Sequence, residues 1–93
     1  MDFNIRSNAL KIITQAYISC SHDLKFKDID CETICSDVDK YEIAKAIRYL
    51  VNKAYIKIDM ITTKISGELM VDGIDFVENC HNVSLNPQTS NSM

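Results

Sequence analysis

The chain has 93 residues, 46% apolar and 25% charged, which suits one small globular domain and leaves little room for a second. Its net charge of −3 and pI near 5.2 argue weakly against a surface coated with phosphate contacts. No apolar run approaches the roughly 20 residues that span a bilayer, and Met1 to Arg6 carries no basic segment leading into an apolar one, so a cytoplasmic protein without a membrane partner is expected.

In chain order, Leu10, Ile13, Tyr17 and Cys20, flanked by Ile12, Ala16 and Ile18, follow the three-and-four spacing of a helix from Ser7 to about Ser21. Leu24-Lys25-Phe26-Lys27 alternates apolar and charged residues and predicts a brief strand. Asp28 through Cys35 predicts a short second helix opened by acids, which suit the positive end of a helix dipole. A break at Ser36-Asp37-Val38-Asp39 follows. Asp39, with Glu42 three residues later, is a variant capping box that starts a third helix running to Lys53.

That helix would bury Ile43, Ala46, Ile47 and Leu50, with Val51 and Ala54 at the margin, and carry Tyr41, Lys45, Arg48 and Asn52 on its opposite side. The period then changes. Ile56, Ile58 and Met60 alternate with Lys57, Asp59 and Ile61, and β-branched residues continue to Ile65. Ser66-Gly67 reads as a turn, Glu68 to Val71 as a returning strand, and Asp72 as the cap of a last helix bearing Ile74, Phe76, Val77 and Cys80. The expected domain ends at His81. Residues 82–93, rich in turn formers, read as a disordered tail.

Charge is unevenly spread. Asp23, Asp28, Asp30, Glu32, Asp37, Asp39 and Glu42 crowd one stretch, whereas Lys40, Lys45, Arg48, Lys53, Lys57 and Lys64 make the following one locally basic. Such a stripe can hold a polyanion on an acidic protein, because salt screens exposed charges beyond about 8 to 10 Å. The acidic cluster does not have the spacing of a calcium loop, and helix caps account for most of it. Of the cysteines, Cys31 and Cys35 are four apart, Cys20 precedes His22 by two and Cys80 abuts His81. None forms a C-x-x-C, so reduced, mostly buried thiols are expected rather than a zinc site, with no cofactor. His22 and His81 read as surface residues.

Catalysis is not expected. Gly67 and Gly73 are the only glycines, so a glycine-rich phosphate loop is absent. Cys80 and His81 are adjacent, and helix neighbours point about 100° apart.

The order helix, strand, helix, turn, helix, hairpin, helix resembles a winged helix-turn-helix domain, an α+β fold with a three-helix core, a β-hairpin wing and a C-terminal helix. Tyr41 to Ile56 is similar to the recognition helix and first wing strand of small bacterial and phage members, where a YL-x-x-x-GYI run often joins the two. Ala54 stands where that family most often has Gly. Leu69 to Glu78 resembles the third strand and closing helix, with its IT-x-x-G-x-x-x-L/V-E pattern, and the likeness covers about residues 7 to 80.

The resemblance implies double-stranded DNA as partner, with the third helix in the major groove and the wing alongside. Tyr41, Lys45, Arg48 and Asn52 would face the groove, Ser36 and Lys40 would meet phosphate, and Lys57 and Lys64 would serve the wing. On composition alone Tyr41 and Tyr49 read as half-buried packing residues, and a Lys/Arg stripe as a solvated face. A transcriptional regulator or a plasmid or phage centromere-binding adaptor follows, working as a homodimer through the first helix, Phe3, Ile5 or the last helix. The alternative is a module of the same fold that binds a second protein, such as a phage-encoded inhibitor or an assembly subunit.

Overall fold

Helix α1 spans Phe3–Ser19 in the computed structural model, which describes residues 3–85. It starts four residues before the predicted Ser7. It buries Ala9, Ile12, Ile13 and Ala16 rather than a stripe centred on Leu10, Tyr17 and Cys20, which are only half-buried. Tyr17 keeps its hydroxyl at the surface, donating to Glu78 Oε2 at 2.6 Å. Ile18, expected on the flank of the core, is 69% exposed.

Strand β1 covers Lys25–Ile29, so Asp28 and Ile29 belong to a strand and not to the second helix. Asp28 adopts φ 55° where the pairing with β3 shifts register between Phe26 and Ile29, a bulge that Asp tolerates better than most residues. Helix α2 shrinks to one turn, Cys31–Ile34, capped by Asp30, whose Oδ1 accepts from Thr33 N at 3.3 Å. Helix α3, Lys40–Asn52, has the predicted start, with Asp39 Oδ1 accepting from Tyr41 N and Glu42 N at 3.0 Å each.

Its end is a Schellman closure: Tyr55 N donates to Leu50 O at 3.0 Å and Ala54 N to Val51 O at 2.9 Å, with Ala54 left-handed at φ 59°. The accompanying contact is aromatic, Tyr49 meeting Tyr55 edge-on at 6.3 Å, with Tyr55 in turn stacked on Phe76 at 4.7 Å.

Strands β2 (Ile56–Ile61) and β3 (Ile65–Leu69) form a hairpin turned by residues 62–64, not by Ser66-Gly67. Thr62 N donates to Lys64 O at 2.9 Å to close it. Gly67 lies inside β3 because a side chain there would strike the backbone of Lys57, and Val71, read as strand, opens helix α4 (Val71–Leu85). Asp72 therefore sits in the first turn of α4 rather than capping it. The sheet order is β1-β3-β2, all antiparallel.

One sheet face packs on the helices through Phe26, Ile29, Ile56, Ile65 and Leu69, joined by Ile43, Ala46 and Leu50 of α3 and Val77 of α4. The chain is thus an α+β protein of four helices and a three-stranded antiparallel sheet among the described residues. Helix α4 passes the expected boundary at His81 and continues through Leu85, so 82–85 are helical; residues 86–93 of the expected tail lie outside the described residues. Among the described residues no helix is long and apolar enough to cross a membrane.

Candidate functional site

Helix α3 is amphipathic by construction: Ile43, Ala46 and Leu50 at three-and-four spacing are buried, which turns Arg48 to the exposed side. Around Arg48 lie Ala44 and Asn52 at four residues' distance and Lys45 and Val51 at three, all exposed, with Tyr41 two turns away. Tyr41 is 69% exposed, not half-buried, and Lys40 Nζ lies 5.8 Å from its ring centroid. Tyr49 does take the packing role expected of it.

Between α3 and the β2–β3 hairpin runs a groove of about 610 Å³. Its apolar lining comes from Ile43, Ala44, Ile47 and Val51 on the helix and Ile58, Ile61 and Ile65 on the strands, and Lys40, Arg48 and Asn52 share it with Glu32. Ile58 and Ile61 face it together, although three residues apart, because the β2–β3 register shifts between Ile58 and Met60.

The eight residues singled out from sequence are thus divided. Lys40, Arg48 and Asn52 meet along the groove. Tyr41 and Lys45 share the exposed surface of α3 outside the groove lining, and Lys45 Nζ pairs with Glu42 Oε2 at 3.3 Å, one turn away. That is the only salt bridge among the described residues, so Lys40 and Arg48 carry charge without an ion-pair partner there. Ser36 is exposed in the α2–α3 connection. Lys57 stands opposite Glu68 on the sheet face turned away from Ile56 and Ile58, hence away from the groove. Lys64 occupies the hairpin turn, and its charge adds to the Thr33 hydrogen bonds that chiefly hold the Asp30 carboxylate low.

The sequence places Ile47 in the buried stripe of α3 and Val51 at its margin, whereas Ile47 is half-buried and Val51 exposed, both on the groove with Ala44, Ile58 and Ile61, none of which it marks as binding surface. The signal was present: Ala44 and Val51 flank Arg48 at helical spacing, but an apolar residue beside a core stripe reads as core margin. Of the four cysteines only Cys31 lines the groove, and it is buried. Cys35 is buried, and burial pushes the Cys31 thiol up to about 11 and raises Cys35 as well. Among the described residues no disulfide forms and no three His, Cys, Asp or Glu side chains gather as a metal site. His22 is exposed, whereas His81 is half-buried on α4 with Nε2 3.2 Å from Thr14 Oγ1.

No family model, no curated protein and no solved structure matches the chain.

Proposed function

We propose that the protein is a cytoplasmic winged helix-turn-helix protein that binds double-stranded DNA, as a transcriptional regulator or as a centromere-binding adaptor of a plasmid or phage. Helices α2 and α3 would be the helix-turn-helix and β2–β3 the wing. The observation that carries the reading is the placement of Arg48: it stands without an ion-pair partner among the described residues at the centre of the exposed face of α3, beside a two-stranded hairpin. A helix presented this way, about 10 Å across, fits the major groove, with Lys45, Arg48 and Asn52 offering donors to base edges and Lys40 to phosphate. The pairing of β1 with β3 across the hairpin also agrees with the winged-helix order.

A single module of this size reads few base pairs, so a homodimer is part of the proposal. Ile18, exposed beside the α1–α4 cleft of about 320 Å³, supports those two helices as the dimer surface. The test is retention of duplex DNA by the full chain. Affinity that falls steeply between about 50 and 200 mM salt supports the reading, since each phosphate contact releases counterions.

A second reading has its own observation. The apolar lining of the α3–hairpin groove, with a net charge of −3, suits a protein segment docked there in place of DNA. In that case the folded chain retains no duplex at about 50 mM salt and its association with a partner protein is insensitive to salt.

A further inference from the structure

The apolar side of α3 is not accounted for by phosphate or by polar base edges. Ala44 and Val51 lie on either side of Arg48, four residues before it and three after, and both are exposed. Val51 is 41% exposed, and Ile61, another residue lining the groove, is 57% exposed. In the major groove a base pair offers one apolar group, the 5-methyl of thymine. Asn52, next to Val51, carries the amide that pairs with adenine N6 and N7. Adenine suits the amide and the thymine methyl suits the valine, so each of these side chains by itself favours A·T pairs.

We infer that Ala44 and Val51 read thymine by its 5-methyl group and so bias the protein toward A·T-containing sites. The inference rests on the DNA reading above and names the base that this surface selects. Arg48 supplies affinity and a contact to guanine or phosphate, while the flanking apolar side chains supply discrimination. Each covered methyl leaves water against a side chain that is itself exposed in the free protein. The apolar surface of both partners is removed in one step.

Deoxyuridine tests this cleanly, because it lacks only the methyl and keeps every hydrogen-bonding group of thymine. A binding duplex is enriched from a random pool with the full chain, and each thymine is then replaced singly by deoxyuridine. The expected result is a rise in Kd of about four-fold at individual positions, the worth of one buried carbon group. The Val51→Ser/Ala44→Ser double variant, checked for its fold by circular dichroism, should bind the thymine and uracil duplexes equally.

Equal Kd at every position for the wild type overturns the inference and leaves the DNA reading standing. A thymine preference that survives in the double variant overturns it too. If no duplex is retained at about 50 mM salt, the DNA reading and the inference fall together.

Discussion

Gly67 passes so close to Lys57 that a Cβ on the glycine would collide with the Lys57 carbonyl oxygen. The obstacle is backbone inside the central hairpin, so no side chain can swing aside to relieve it. Gly67→Ala should lower stability by about 3 kcal/mol, the upper part of the range for overpacking a tight site. Urea denaturation checks this; a midpoint within error of wild type would mean that the strands separate at little cost.

Ala54 ends α3 in the left-handed conformation at φ 59°, on an exposed residue with no packing to lose. An L-residue there carries a steric penalty that glycine does not, on the order of 1 kcal/mol. Ala54→Gly is therefore expected to stabilise the protein by about 0.5 kcal/mol, the steric relief less glycine's usual cost in the unfolded chain. A destabilised variant would show that the closure between Tyr55 and Leu50 does not require the left-handed residue.

How much of this was legible in the sequence depended on whether local chemistry and packing agreed. Asp39 with Glu42 marked the start of α3, and Ile43, Ala46 and Leu50 gave its buried face, because cap and periodicity point the same way. The hairpin turn was misplaced because Ser66-Gly67 has turn chemistry and Thr62-Thr63 has strand chemistry, while the close approach to Lys57 decides the matter from outside the segment. Asp28 misled similarly: an acid before an apolar run looks like a cap, yet a bulge holds it in β1 and Asp30 caps α2 instead. On the candidate site, the exposure of Arg48 and Asn52 followed from periodicity. The groove did not, since it exists only once β2 lies beside α3.

Cys31 is buried and its thiol is pushed up to about 11, so at pH 8 only about one molecule in a thousand carries its thiolate. Cys35 is buried too and raised in the same direction. In a Cys20→Ser/Cys80→Ser variant, Ellman's reagent should find no fast-reacting thiol at pH 8 until denaturant is added. Two thiols titrating rapidly in the native variant would contradict the burial of α2 against the core.

Asp30 accepts from Thr33 Oγ1 at 3.0 Å and from Thr33 N at 3.3 Å, and these bonds, the hydroxyl's first, hold its carboxyl below the usual value of 3.8, with Lys64 adding to the effect. A folded-state pKa below the unfolded one contributes stability that is present above pH 3.8 and is lost as pH falls through the folded value. Thr33→Val, which removes the hydroxyl donor alone, should therefore be less stable than wild type at pH 6, with the difference shrinking at pH 3. A difference of equal size at both pH values would contradict the carboxylate's part in it.

The most direct measurement is fluorescence anisotropy with duplex DNA from around the protein's own gene and with random duplex, at about 50 and 200 mM salt, for wild type and Lys45→Glu/Arg48→Glu. DNA binding through α3 predicts tighter binding to the first duplex, a steep loss with salt, and a weakening of about 30-fold or more in the double charge reversal, the loss of roughly 2 kcal/mol of contacts. Undiminished binding by a folded double variant would remove α3 as the reading element, and no retention of either duplex by wild type at the lower salt would contradict DNA binding itself.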